Sequence, residues 1–112
     1  MHMIEAVIKP SALDGIKGKL ASLGIYGCTA VEVKGFGKQK GHTERYRGGR
    51  MDVGFLPKIL LKIAVKEEEL DKAVEAITSE ARTGNVGDGK IFVYGLSKVI
   101  RVRTGETDQE AL

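Results

Sequence analysis

The chain has 112 residues, 42% hydrophobic and 29% charged, a globular balance that excludes disorder and leaves room for one domain spanning 1–112. Eighteen Lys and Arg against 15 Asp and Glu give a net charge of +3, with signs mixed along the chain, so small anions suit it better than a nucleic-acid backbone. No apolar run is long enough to cross a bilayer, no secretory leader opens the chain, and the lone Cys28 closes no intrachain disulfide, so a cytoplasmic protein is expected.

From Met3 to Ile8, Ile4, Ala6 and Ile8 alternate with Met3, Glu5 and Val7, the period of a strand with one buried face. Ser11 stands where it can cap a helix with Asp14 in its first turn, and Leu13, Ile16, Leu20 and Leu23 recur at helical spacing until Gly24 stops it. Gly15 and Gly18 weaken this helix by about 1 kcal/mol each relative to Ala, a cost that tight packing on a sheet would offset. Cys28 to Val33 is rich in β-branched residues and reads as a second strand, after which the chain is polar and glycine-rich as far as Phe55. Ile59, Leu61, Ile63 and Val65 share one face of a third strand, with Leu60, Lys62 and Ala64 on the other.

Glu67, Glu68 and Glu69 suit a helix N-terminus, where the backbone dipole favours negative charge, and Leu70, Ala73, Val74 and Ile77 then form an apolar stripe. The glycine-rich segment Thr83 to Gly89 ends that helix. Ile91 to Tyr94 reads as a fourth strand and Val99 to Arg103 as a short fifth extended piece. The order β-α-β-loop-β-α-β predicts an α+β fold, a ferredoxin-like βαββαβ sandwich with two helices on one face of an antiparallel sheet. A faint repeat agrees: Ala6-Val7-Ile8-Lys9 before Leu13-Asp14 echoes Ile63-Ala64-Val65-Lys66 before Leu70-Asp71. Val31, Val33, Leu60 and Ile91 to Val93 leave apolar residues for both sheet faces, and self-association would bury those on the face that no helix covers.

Three segments are richer in glycine and charge than a connection requires: Lys34 to Gly41, Thr83 to Lys90, and Arg101 to Gly105. In the second, glycines allow backbone N–H groups to cradle phosphate oxygens while Lys90 adds a point charge. It is no Walker A motif, since Lys90 is followed by Ile91 and the segment leads into a strand; a glycine-rich connection with a solvated lysine explains it equally well. Arg101 and Arg103, two apart, would share one face of an extended segment and present paired forks to a polyphosphate, although an exposed edge strand has the same pattern.

Lys34-Gly35-Phe36-Gly37 begins like the RNA-binding RNP1 signature, but Lys38 stands where a stacking aromatic belongs and aromatics are only 5% of the chain, so no nucleic-acid partner is expected. Cys28, His2 and His42 are isolated, with no pair at zinc-ligand spacing. No Ser/His/Asp or Cys/His nucleophile set emerges, and no catalytic residue is assigned.

Taken together, Lys34-Gly35-Phe36-Gly37-Lys38-Gln39-Lys40-Gly41-His42-Thr43-Glu44, Tyr46-Arg47-Gly48, Phe55-Leu56-Pro57-Lys58, Thr83-Gly84 with Gly87-Asp88-Gly89-Lys90-Ile91-Phe92-Val93, and Val99-Ile100-Arg101-Val102-Arg103-Thr104-Gly105-Glu106 resemble the PII nitrogen-regulatory signal-transduction proteins over nearly the whole chain. The resemblance implies a homotrimer of ferredoxin-like subunits with a T-loop at about 37–55, a B-loop at about 82–90 and a C-loop at about 102–108. It implies ATP or ADP in clefts between subunits, held by Thr29, Gly35, Gly37, Lys38, Gly87, Gly89, Lys90, Arg101 and Arg103. It further implies 2-oxoglutarate as an effector, bound by Gln39, Lys40, Gly41 and Lys58. Magnesium would be coordinated by Gln39 together with ATP and 2-oxoglutarate, an oxygen-rich set that suits that ion.

Arg47 would lead the long loop into a partner, an ammonium transporter or a nitrogen-metabolism enzyme, so that membrane association arises only through that partner. On this reading Lys58 serves the acid alone, and Lys58→Ala binds ATP nearly normally. Two acceptors of covalent control in such proteins are replaced: Met51 stands where a modified tyrosine is found and Gly49 where a phosphorylated serine is found. Arg50 also departs from the small or acidic residue common there. The expected function is therefore that of a non-enzymatic sensor, with a phosphoryl-transfer enzyme or slow ATPase as the alternative and an RNA-binding module as a third class.

Overall fold

The computed structural model describes residues 1–36 and 55–112. Four strands, β1 (His2–Ile8), β2 (Cys28–Gly35), β3 (Leu56–Val65) and β4 (Gly89–Gly95), and two helices, α1 (Leu13–Ser22) and α2 (Leu70–Ala81), follow one another as β1-α1-β2-β3-α2-β4, with short 3-10 turns at Pro10–Ala12, Glu67–Glu69 and Asp108–Ala111. The sheet order is β2-β3-β1-β4 and the neighbouring strands are antiparallel. This is the expected ferredoxin-like arrangement.

Strand alternation decides what is buried. Ile4, Ala6 and Ile8 of β1 and Ile59, Leu61, Ile63 and Val65 of β3 point to the helix side and are buried, together with Ile16 and Leu20 of α1 and Ala73, Ala76 and Ile77 of α2. β3 starts earlier than its hydrophobic pattern suggests, because Pro57 is accommodated. Pro57 pairs with Lys34 on one side, and β1 reaches only as far as Ile59 on the other, so a missing N–H there breaks no central ladder.

The stop at Gly24 is a Schellman motif: the Ile25 N–H donates to the Leu20 carbonyl at 2.9 Å and the Gly24 N–H to that of Ala21 at 2.9 Å, with Gly24 at φ 82°. Ile25 and Leu20, brought together by that geometry, are both buried.

Three expectations are corrected. Ser11 does not cap α1; it lies inside the 3-10 turn, and the helix begins after Ala12 with no side-chain cap. Gly15 and Gly18 do not pack on the sheet but lie on exposed turns of α1. The fifth extended piece is a turn closed by an isolated bridge between Ile100 and Thr107. Ile91 to Val93 serve both faces, as expected: Phe92 pairs with Glu5 on the side without helices, and Ile91 and Val93 pair with Ala6 and Ile4, whose side chains face the helices.

Candidate functional site

The topology brings four chain segments to one end of the sheet. β1 ends at Ile8, which is opposite Ile59 of β3 and Gly89 of β4, and β2 ends at Gly35 opposite Leu56. α2 returns from the far end, so the 82–88 loop lies beside the root of the segment that links β2 to β3.

Lys58 joins the two. It is 7% exposed, the one charged side chain among the described residues buried to that degree, and its Nζ donates to the Gly87 carbonyl at 2.7 Å. Its stem lies against Gly35, where an added Cβ would come within 3.0 Å of Lys58 Cγ. Sequence reading found Gly35, Lys58 and Gly87 separately, and the structure places them together.

The loop itself is organised by Asp88. The carboxylate accepts from the Thr83 hydroxyl at 2.5 Å, the Thr83 N–H at 2.7 Å and the Gly84 N–H at 2.9 Å, and Lys9 Nζ approaches it at 3.2 Å. The Thr83 hydroxyl in turn accepts from the Asn85 N–H at 3.1 Å. These donors, the Thr83 side chain foremost and then its backbone N–H, hold the Asp88 carboxyl well below the usual carboxylate range. Asp88 is thus committed to shaping the loop. Its role was not assigned from sequence, though a Thr and an Asp bracketing glycines is a pattern that such side-chain-to-backbone turns leave.

Gly84, Gly87 and Gly89 have φ of 89°, 102° and 114°, conformations that glycine alone adopts without strain. Gly89 is the most constrained, since a Cβ there would sit 1.9 Å from the Val7 carbonyl oxygen. Lys90 is exposed and paired with Val7, on the sheet face that lacks helices. Thr29 shares that face, beside Lys62 in the next strand. A cleft of about 370 Å³ lies between Ile77 and Ala81 of α2 and Ile91 of β4, with Arg82 and Asp88 among its lining residues.

Arg101 and Arg103 are not presented as an extended same-face pair. The Arg101 N–H donates to the Glu106 carbonyl at 2.9 Å and the Gly105 N–H to the Arg101 carbonyl at 2.7 Å, closing a turn in which Arg103 stands exposed. The Arg101 guanidinium donates to Glu106 Oε1 at 2.7 Å and to the Ala111 carbonyl at 3.3 Å. This turn follows β4 after Gly95, which pairs with His2 at the sheet end opposite Gly89. A single chain therefore presents Lys90 and the arginines on segments that leave β4 at its two ends.

Gly37, Lys38, Gln39, Lys40, Gly41 and Arg47, together with Gly49, Arg50 and Met51, lie outside the described residues. Among the described residues no three metal-binding side chains cluster, and no helix is long and apolar enough to cross a membrane.

A family model described as nitrogen regulatory protein P-II matches residues 1–106. The chain is 55% identical to a nitrogen regulatory protein P-II of Rhizobium etli and 53% identical to one of Pasteurella multocida. It is 48% identical to nitrogen regulatory protein GlnK of Escherichia coli K12; each of the three alignments spans 112 residues, the full length of both proteins.

Proposed function

Because the chain belongs to the nitrogen regulatory protein P-II family, we propose that it is a non-enzymatic signal protein that binds ATP or ADP and 2-oxoglutarate and regulates partners, an ammonium transporter foremost, through the segment between β2 and β3. The observation that carries this reading is the juxtaposition of Lys58, Gly35 and the Gly87 loop at the root of that segment. A cation and positive-φ glycines are gathered there, where a nucleotide and a dicarboxylate would both be read.

The donor set fits a nucleotide. Gly87 and Gly89 hold backbone conformations that let N–H groups approach phosphate oxygens closely, and Lys90 is an exposed cation at the strand start. Arg101 and Arg103 would supply guanidinium forks, Arg101 by exchanging its Glu106 partner for phosphate. Because the arginines leave the sheet at the end away from Lys90, a site using both sets is completed by a second subunit, in keeping with a trimer.

Lys58 would meet the distal carboxylate of the acid, with Gln39, Lys40 and Gly41 at its other end. Gln39 is the residue of this chain that would hold a magnesium ion bound with ATP, which would supply positive charge to the two anions. Arg47 would be the residue that enters the partner, and its exposure would follow the populations of loop conformations set by the effectors.

Calorimetric titration of 2-oxoglutarate into the protein, with and without magnesium-ATP, tests the reading. Acid binding that appears only with the nucleotide is expected; absence of binding by either ligand overturns it.

A further inference from the structure

Lys58 is assigned above to the acid, yet its ammonium already has a partner in this structure, the Gly87 carbonyl 2.7 Å away. Gly87 lies between the glycine turn at Gly84 and the strand start at Gly89, both fixed from elsewhere. Gly84 is held by the Asp88 carboxylate and Gly89 by its pairing with Ile8 in the β1-β4 ladder. Residues 85–87 arch between these fixed points. The bond from Lys58 is the hydrogen bond among the described residues that ties the arch to β3.

The stem of Lys58 is equally constrained. It is buried, runs beside Gly35 with no room for even a methyl group without displacement, and belongs to a residue paired with Val33 inside the β2-β3 ladder. The ammonium is therefore delivered to Gly87 from a rigid base.

We propose that Lys58 is a positioning residue for the nucleotide loop. It pins residues 85–87 to the root of the β2-β3 segment when no ligand is present, and so sets where the Gly87 to Lys90 backbone meets phosphate. Ammonium carries three protons, so Lys58 holds Gly87 with one and offers the others to a carboxylate. The acid and the nucleotide loop then share one side chain and favour each other's placement, and the coupling works in both directions. The pin itself stands on geometry alone; its meaning for nucleotide and acid rests on the function proposed above. It also revises the sequence expectation that loss of Lys58 leaves ATP binding nearly intact.

Amide hydrogen exchange on the ligand-free protein, parent against Lys58→Met, tests the pin. Exchange at residues 84–89 is expected to quicken by about tenfold or more, the scale set by losing a hydrogen bond to a charged group, with the β1 and β3 core amides unchanged. Should Lys58→Met fail to fold, Lys58→Gln, whose shorter side chain falls short of Gly87, carries the same expectation. Exchange within about twofold of the parent overturns the pin.

A second arm titrates ATP without 2-oxoglutarate. Weakening by several-fold in the same variant is expected, and unchanged affinity beside a loosened loop overturns the link to nucleotide. A parent protein that binds neither ligand would remove the proposed function and leave the exchange result to decide the pin.

Discussion

Asp88 turns its carboxylate onto the loop that carries it, and four donors converge there. Its folded-state pKa is depressed, so its contribution to loop order is fully present above the ordinary aspartate value of 3.8. It is lost only as pH falls through the lower folded value. The Thr83 and Gly84 amide resonances should therefore hold their positions as pH passes 3.8 and move only below it; a midpoint at the ordinary value would show that the cluster does not persist in solution. Asp88→Asn should hasten amide exchange at Thr83 and Gly84 and spare the sheet, because an amide offers one acceptor where the carboxylate offers two.

Gly89 marks a different constraint. Its φ of 114° predicts that Gly89→Ala costs at least about 1–3 kcal/mol in backbone strain alone, before the overlap of the added Cβ with the Val7 carbonyl oxygen. Denaturant unfolding at fixed protein concentration would check this. The sequence marked Gly89 as permissive, and the structure shows that a side chain there meets the neighbouring strand.

At the scale of elements, the regular parts were legible because burial follows side-chain period. Ile4, Ala6 and Ile8 repeat at two, and Ala73 and Ile77 at four, and these residues form the core. The 101–106 turn was not legible for a related reason. Ile100-Arg101-Val102-Arg103 alternates as a strand does, but two local backbone bonds and the Arg101–Glu106 pair fold it back.

The start of α1 misled in the same way, since Ser11 is a good capping residue in a position where Pro10 nucleates a 3-10 turn instead. The glycines of α1 give a sharper test. Gly18 is exposed in mid-helix with nothing within 4 Å of an added Cβ, so Gly18→Ala should stabilise the protein by about 0.5–1 kcal/mol and raise its thermal midpoint. Gly15 differs, because the new Cβ would meet Glu80 Oε1 at 2.3 Å and Glu80 would have to swing away from Lys19.

For the whole molecule, the decisive feature is the sheet face without helices. Val31, Phe92 and Tyr94 are 43%, 50% and 45% exposed there, around a polar centre in which the Tyr94 hydroxyl donates to Glu5 at 2.6 Å and Lys62 approaches the same carboxylate at 3.7 Å. The bond to Glu5 raises the Tyr94 pKa, keeping the phenol protonated and the centre intact in the neutral range. An apolar surface with a fixed polar register suits packing against copies of itself, and sedimentation is expected to give a trimer.

The site was only partly legible in sequence at this scale. Spacing identified Lys90, Arg101 and Arg103 as cations, but not that one chain presents them from opposite ends of β4. That separation yields the strictest test. Lys90→Ala subunits and Arg101→Ala, Arg103→Ala subunits should each bind ATP poorly as pure assemblies, since every site lacks one half of its phosphate contacts. Unfolded and refolded together in equal amounts, they should regain tight sites at about a quarter of the interfaces, those where an intact loop meets intact arginines. Recovery near that level by calorimetric stoichiometry places each site between two subunits. With refolding verified by sedimentation, no recovery would mean that both cation sets act within one chain, and the arrangement proposed for the nucleotide would have to be abandoned.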